Sequence, residues 1–223
     1  MGFDPAFMLE VLPRLLEFLP VTLGLALGSM LLGVVLGVVL ALVRFAKVPV
    51  LNQVAQLYVS FFRGIPSLVL LFLVYFGLPT VLPAMSAMNA VTAAVLGLGF
   101  KQGAYLAEIF RAALLSVDRG QYEAGLATGL SPNQIYRRYV LPQAAFNALP
   151  ATGNQFIGMI KETSVVFTLG ITEMFAGAQM FAAENFRYFE SYLTVGLVYW
   201  GVVVIVGFLI GRLETWLGVP YRR

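Results

Sequence analysis

The chain has 223 residues, of which 60% are apolar and 11% are charged, and its mean hydropathy is +0.86. A soluble domain carries charge on about a quarter of its residues, so this composition excludes a soluble fold and indicates a membrane protein. The chain contains no cysteine and no histidine, which excludes disulfides, thiolate or imidazole chemistry and a typical zinc site. We expect no metal, cofactor or catalytic residue in this chain, and its net charge of only +3 gives no reason to expect a nucleic-acid partner.

Residues 1–19 predict a short helix that lies in the membrane interface. Four leucines recur there at helical spacing, namely Leu9, Leu12, Leu16 and Leu19. The charged residues of the segment lie largely on another face. The opening decapeptide MGFDPAFMLE lacks the basic region of a cleavable signal peptide, so we expect the first span to stay in the protein.

Five apolar stretches can each cross a bilayer, for which a helix needs about 20 residues. They cover residues 18–43, 54–82, 88–115, 144–171 and 192–211. The first and the last carry no charge, whereas the other three contain ionisable residues. The sequence therefore predicts an all-α membrane protein with five transmembrane helices in a single domain, residues 18–215.

Basic residues predict the orientation, because cytoplasmic loops are enriched in lysine and arginine. With the N-terminus outside, nine of them lie on the cytoplasmic side, namely Arg44, Lys47, Arg111, Arg119, Arg137, Arg138, Arg212, Arg222 and Arg223. Only Arg14 and Arg187 lie on the outer side. We expect an outer N-terminus, a cytoplasmic C-terminus and a cytoplasmic location for the polar segment 119–142.

Glycines recur at four-residue spacing, as Gly24 and Gly28, Gly33 and Gly37, and Gly207 and Gly211. In lipid this spacing lets helix backbones approach closely. We interpret it as helix packing within the subunit, with a dimer seam as the alternative. Five helices form a bundle that is thin for enclosing a polar pathway, so we also expect a second copy or a homologue beside the chain.

The polar segment 119–142 predicts two short helices joined by a turn. Gly129 follows the first helix at a position that favours the left-handed conformation. Ser131 precedes the second helix, with Pro132 at its first position and Gln134 placed for a capping box. Leu141-Pro142 is expected to end that helix.

The two short helices also predict a docking surface. Leu126, Leu130, Ile135 and Tyr139 give the pair an apolar side, and Arg137 and Arg138 give it a basic side. Glu123 is expected to bond locally, with Arg119, Arg137 or Arg138. Such a hairpin suits a groove of another protein.

The hairpin resembles a motif of the membrane subunits of ATP-binding-cassette importers, which reads Glu-Ala-Ala, three residues, Gly, nine residues, Ile, one residue, Leu-Pro. The matching positions are Glu123, Ala124, Gly129, Leu141 and Pro142. The chain departs from the motif at Gly125 and Tyr139, which we interpret as mild changes. The stretches SFFRGIPSLVLLFLVYFGLP, AYLAEIFRAALLSVDRGQYEA and LPATGNQFIGMIKETSVVFTLGITEMF are similar to the polar amino acid permease branch of that family.

This resemblance implies a type I importer permease fold in a bacterial inner membrane, with two permease subunits, identical or homologous, around one pathway. It also implies an extracytoplasmic substrate-binding protein, an amino acid substrate and a separate ATPase that binds ATP and Mg²⁺. The hairpin would be the coupling helix, with its contacts at Glu123, Ala127, Thr128, Gly129, Leu130, Ser131 and Pro132. The chain has no G-x-x-x-x-G-K-[ST] loop, so it is no enzyme and the ATPase must be a partner.

Ionisable groups at mid-bilayer are unfavourable by about 2.5–3.5 kcal/mol and need a partner or a role. An amino acid zwitterion needs an anionic and a cationic partner, and Lys161 and Glu162 offer both within one turn. The predicted substrate-binding residues are Asn154, Gln155, Lys161, Glu162 and Lys101. The alternatives are ion pairs with a partner subunit for Lys161 and Glu162, and a pair between Lys101 and Glu108 within the bundle.

Arg63 lies in the broken second span, next to Gly64 and Pro66. Non-helical backbone at membrane depth is tolerated where it is buried in protein or lines a cavity. Arg63 is therefore a candidate for a pathway or gate, with a buried arginine that binds freed carbonyl groups as the alternative.

Two rival functions remain open at this stage. The chain could be a gradient-driven secondary amino acid transporter, with Glu108 and Glu162 as proton carriers, but such a carrier has no need of the hairpin. It could also be a membrane scaffold or assembly factor, which would leave the polar residues at mid-membrane unexplained.

Overall fold

The computed structural model describes residues 2–218, which are helical throughout apart from short connections and contain no strand. The α-helices are α1 (Pro5–Leu16), α2 (Leu19–Phe45), α3 (Pro49–Gly64), α4 (Ser67–Phe72), α5 (Leu78–Val81), α6 (Ala90–Leu115), α7 (Arg119–Ala127), α8 (Pro132–Ile135), α9 (Leu141–Glu162), α10 (Met174–Asn185) and α11 (Tyr188–Gly218). The connecting helical turns are of π type at Leu73–Gly77 and Tyr136–Val140 and of 3₁₀ type at Pro83–Met85 and Thr163–Leu169. Arg222 and Arg223, which entered the orientation prediction, lie outside the described residues.

Helices α2 and α6 pack against each other through glycines on both sides. A Cβ atom on Gly33 would lie 2.8 Å from Cβ of Gln102, and one on Gly37 would lie 2.7 Å from Cβ of Leu106. In return, a Cβ atom on Gly99 would lie 2.7 Å from Cδ2 of Leu32. The predicted packing role of Gly33 and Gly37 is confirmed, since no larger residue fits at this distance.

The other two glycine pairs do not form such close contacts. A Cβ atom on Gly28 or Gly207 would meet its nearest neighbour at an ordinary distance of 3.4 Å or 3.8 Å. Gly24 and Gly211 have no neighbouring atom within 4 Å of that position. The packing prediction is therefore wrong for Gly24 and Gly211 within the subunit.

The second predicted span is broken at Ile65 and Pro66, as the sequence indicates. Ile65 is extended because a residue that precedes proline avoids the α conformation. As a result α3 and the helical stretch Ser67–Val81 meet at an angle of 111°.

By length and hydropathy, α2 and the Tyr188–Leu217 part of α11 can each cross a membrane alone. Two bent pairs pass the same test together, α3 with Ser67–Val81 and Pro132–Leu169 with α10. The predicted third span coincides with α6, which carries charged residues and packs between α2 and α9. The all-α fold is confirmed, and the count of five spans stays a prediction.

Leu141-Pro142 does not end the second helix of the hairpin, contrary to the sequence prediction. The chain stays helical from Pro132 to Leu169. A π turn at Tyr136–Val140 precedes the proline, and the Leu141 N–H there donates to the Tyr136 carbonyl, one residue further back than in an α-helix. This wider turn gives room for the proline ring, which would clash with a carbonyl four residues back in a regular α-helix. The second arm of the hairpin and α9 therefore form one continuous helical segment.

The short N-terminal helix α1 forms as predicted and packs on α10 and α11. Val11 and Leu15 are buried in one cluster with Met174 and Val195. Asp4 caps the helix and forms an ion pair with Arg187 at 3.2 Å. The predicted interfacial position of residues 1–19 stays a prediction.

Candidate functional site

Lys101 and Glu162 form an ion pair between α6 and the end of α9. The Lys101 Nζ atom lies 3.0 Å from Oε1 of Glu162. Ser67 lies between them, because its hydroxyl donates to the Glu162 carboxylate and accepts from the Lys101 ammonium. The two charged side chains are only 14% and 28% exposed, so this polar cluster is largely shielded from water.

Two irregular points of the backbone and one tightly packed helix bring this cluster together. Ser67 is the first residue of α4, directly after the break at Pro66. Glu162 is the last residue of α9, where the α-helix changes to a 3₁₀ helix. Lys101 lies in α6 beyond Gly99, which α2 covers closely. Each group is thus held at a helix end or a tightly packed helix, which fixes its position.

The remaining predicted substrate residues are only partly brought together. Gln155 accepts a hydrogen bond from the Gln102 side chain at 3.4 Å, so it belongs to the same α6–α9 contact as Lys101. Asn154 and Lys161 are exposed, and their side chains have no hydrogen bond or ion pair among residues 2–218. Lys161 therefore leaves an unpaired ammonium one residue from the paired carboxylate of Glu162.

Glu108 has arginine partners instead of Lys101. Its carboxylate lies 2.6 Å from Arg44 and 2.9 Å from Arg111, and Arg63 lies 3.8 Å away. The predicted alternative of a Lys101–Glu108 pair is therefore wrong, because Lys101 reaches across to α9. Three guanidinium groups on one carboxylate leave a surplus of positive charge here.

Arg63 lies over the ring of Tyr105 at 5.2 Å and is 45% exposed. No hydrogen bond joins its guanidinium to a backbone carbonyl within the described range. The alternative of a buried arginine that binds freed carbonyls is therefore wrong. Arg63 instead ties the end of α3 to α6.

The tip of the hairpin has the predicted caps. Gly129 is left-handed with φ of 81°, and its N–H donates to the Leu126 carbonyl at 3.0 Å. The Leu130 N–H donates to the Gly125 carbonyl at 3.1 Å, which completes a Schellman motif. Ser131 and Gln134 form the predicted capping box at the start of α8.

Glu123 does not form the predicted ion pair, since none of its atoms lies within 4.0 Å of a described lysine or arginine nitrogen. It is exposed and lines a recess of about 290 Å³ with Tyr122, Tyr136 and Arg119. Its carboxylate is therefore free to meet another molecule.

Gly125 is not interchangeable with the alanine of the importer motif. A Cβ atom there would lie 2.7 Å from Cγ1 and 2.9 Å from Cδ1 of Ile135, which is fully buried. Glycine at position 125 therefore leaves the room that the Ile135 side chain needs. The interpretation of this departure from the motif as a mild change is wrong.

Three further groups complete these clusters and were not predicted from the sequence. Ser67, Gln102 and Arg44 all contact a predicted residue or its partner. Ser67 could have been identified from the sequence, because it directly follows the proline at the break of the second span. Glu173 was also missed: it is fully buried, caps α10, and accepts a hydrogen bond from the Tyr199 hydroxyl at 2.7 Å.

Comparisons with known proteins place the chain among transport components. The family model described as binding-protein-dependent transport system inner membrane component matches residues 33–219. The probable amino-acid permease protein YxeN of Bacillus subtilis (strain 168) is 53% identical over 219 residues, which are 98% of each chain. The probable amino-acid ABC transporter permease protein PatM of Vibrio harveyi is 50% identical, over 97% of this chain and 95% of that protein.

A solved structure has the same fold. A chain in the crystal structure of an amino acid ABC transporter with histidines aligns with a TM-score of 0.87 and 33% identity, over 96% of this chain and 99% of that chain. The predicted type I importer permease fold is confirmed. A family of this kind decides against the gradient-driven carrier and the scaffold as functions. This chain belongs to the family of binding-protein-dependent transport system inner membrane components, and it is a membrane-embedded transport subunit rather than an enzyme.

Proposed function

We propose that the chain is the permease subunit of an ATP-driven importer of polar or charged amino acids. The hairpin at residues 119–142 carries this proposal, because a rigid, exposed, capped loop on a transport subunit is suited to docking another protein. The names of the relatives support the amino acid as substrate, since both are described as probable amino-acid permeases.

The hairpin would couple the chain to a separate ATPase, which binds ATP and Mg²⁺. Six of its proposed contact residues are exposed, namely Glu123, Ala127, Thr128, Gly129, Ser131 and Pro132. Leu130 is half-buried and packs the tip. Because the chain stays helical from Pro132 through α9, a push on the tip would be passed toward Glu162 at the end of α9, across the π turn and Pro150.

The substrate would bind at the Lys101–Glu162 pair. The α-ammonium group of an amino acid can replace Lys101 as the partner of Glu162, and the released Lys101 or the unpaired Lys161 can then bind the α-carboxylate. Asn154 and Gln155 would add amide groups on the α9 side. This exchange recognises the zwitterion, which every amino acid shares, and leaves the side chain to other residues.

The subunit would work in a pair, identical or homologous, around one pathway, with five spans each and lipid around them. A substrate-binding protein would deliver the amino acid on the outer side, where we place the N-terminus. Arg63 would act as a gate, because it holds α3 to Tyr105 and Glu108 at the break of the second span. Opening that contact would let α3 swing about Ile65 and Pro66.

Reconstitution into proteoliposomes tests the proposal. The vesicles would contain this chain, its candidate ATPase and its binding protein, with labelled amino acids of each charge class outside. We expect uptake that requires ATP and all three proteins. Uptake that persists without ATP and follows a proton or sodium gradient would overturn the proposal.

A further inference from the structure

An apolar groove runs along the surface between α2, α6 and α9. It has a volume of about 320 Å³ and is lined by α2 between Val34 and Leu42, by α6 between Phe110 and Leu114, and by α9 between Leu141 and Thr152. Thr152 is the only lining residue with a polar side chain, and its hydroxyl donates to the Ala148 carbonyl in its own helix. Nothing in the groove therefore favours a polar ligand.

The length of the groove matches one leaflet of a membrane. From Leu141 to Thr152 the axis of α9 rises about 16 Å, at 1.5 Å per residue. This is about half of the 30 Å hydrocarbon core. Beyond this stretch the groove is closed, because Ile210 of α11 covers the next residue, Gly153. A single acyl chain fits this length.

Two arginines lie one helical turn beyond the end of the groove. Arg137 and Arg138 directly precede Leu141 along the chain, are exposed, and form no ion pair in the part of the chain that the structure describes. With Asn133 and Gln134 they line a polar recess of about 430 Å³. The apolar lining thus changes to a cationic lining at the Leu141 end of the groove.

We propose that this surface binds one anionic phospholipid from the leaflet on the hairpin side. One acyl chain lies in the groove, and the phosphate accepts hydrogen bonds from Arg137 and Arg138. Guanidinium groups bind phosphate with two parallel hydrogen bonds, so a pair of them selects an anionic headgroup over a zwitterionic one. The bound lipid would then hold the hairpin against α2 and α6, beside α9.

Native mass spectrometry of the purified full-length chain tests this site. Phosphatidylglycerol and phosphatidylcholine with identical acyl chains would be titrated separately, and the bound fraction of one lipid per chain would be measured. Each arginine at an anionic lipid surface contributes about fivefold in affinity, so we expect Arg137→Gln with Arg138→Gln to weaken phosphatidylglycerol binding by about 25-fold and phosphatidylcholine binding little. The double variant Arg119→Gln with Arg212→Gln removes the same charge elsewhere and should leave both lipids unaffected.

Filling the groove tests the acyl chain separately from the headgroup. Ala145→Trp on α9 should lower the binding of both lipids, and Val38→Trp on α2 approaches from the opposite wall if the first variant does not fold. Equal binding of the two lipids by the unaltered chain would overturn the proposal, and so would full binding in a folded groove variant. If the two arginine substitutions release only a partner ATPase and leave lipid binding unchanged, the arginines serve a protein interface and the proposal is wrong.

Discussion

The packing of Ile135 on Gly125 predicts that Gly125→Ala destabilises the hairpin, although alanine is the residue of the importer motif. The new methyl group would lie 2.7 Å from Cγ1 and 2.9 Å from Cδ1 of Ile135. Carbon atoms in contact are ordinarily about 3.5–4.0 Å apart, so one of the two helices has to move by most of an ångström. Ile135 is fully buried, so protein atoms surround its side chain and resist its displacement.

The expected magnitude follows from two opposing effects. Overpacking of this kind destabilises by about 1–3 kcal/mol. Alanine in place of glycine stabilises the interior of a helix by up to about 1 kcal/mol. The net expectation is a loss of about 1–2 kcal/mol, which raises the open population of the hairpin about 5- to 30-fold.

Hydrogen exchange measured by mass spectrometry can detect this change directly, because it reports the free energy of local opening. We expect faster exchange in Gly125→Ala for peptides within residues 119–135 and unchanged exchange in α2 and α6. Gly201→Ala is the matched control, since no atom lies within 4 Å of a Cβ at Gly201.

A double variant separates the proposed contact from other causes. Ile135→Ala removes all the side-chain atoms that the new methyl group would meet. Together with Gly125→Ala it should destabilise the hairpin less than the sum of the two single changes, by about 1 kcal/mol or more. Strictly additive effects, or a Gly125→Ala variant that exchanges like the unaltered chain, would refute the reasoning.

Three further predictions concern coupling, substrate binding and packing. Gly129→Asp should uncouple ATP hydrolysis from uptake, because it adds left-handed strain of about 1–2 kcal/mol and a charge at the exposed tip; the measurement is the ratio of uptake to hydrolysis. Glu162→Gln should weaken the stimulation of hydrolysis by substrate while the complex still assembles, because the α-ammonium group of the substrate loses the carboxylate that pairs with Lys101 in the absence of substrate. Gly33→Leu should lower the amount of folded protein in membranes, because even its Cβ atom would lie 2.8 Å from Gln102.

Each of these variants has a matched control. Gly129→Asn has the size of aspartate and a similar tolerance of the left-handed conformation but no charge, so it should retain more coupling than Gly129→Asp. Glu184→Gln changes an exposed carboxylate and should leave substrate stimulation intact. Gly24→Leu faces open space and should fold normally. Coupled uptake in Gly129→Asp, unchanged stimulation in Glu162→Gln, or normal folding of Gly33→Leu would each contradict its prediction.

Local features of the fold could be predicted from the sequence because their causes are local. The left-handed Gly129, the capping box at Ser131 and the break before Pro66 each depend on residues within one turn. The end assigned to the second helix at Pro142 was wrong. The π turn at Tyr136–Val140 accommodates Pro142 without ending the helix, and no residue pattern in the segment predicts such a turn.

The site was only partly predictable, since its contacts join distant segments. Lys101 and Glu162 were identified because charge in an apolar span is conspicuous. Their pairing with each other was not, because it depends on how α6 and α9 pack, and sequence spacing along α6 favoured Glu108 instead. The close contact between Gly125 and Ile135 could not be predicted either, because it depends on the distance between α7 and α8.

ATP-driven uptake in proteoliposomes is the measurement that most directly tests the central claim that the hairpin couples a partner ATPase to amino acid transport. The unaltered chain and Gly129→Asp would be compared with the same ATPase and binding protein. We predict ATP-dependent uptake for the unaltered chain, and hydrolysis without matching uptake for the variant. Uptake that ignores ATP, or that the variant supports equally well, would contradict the account.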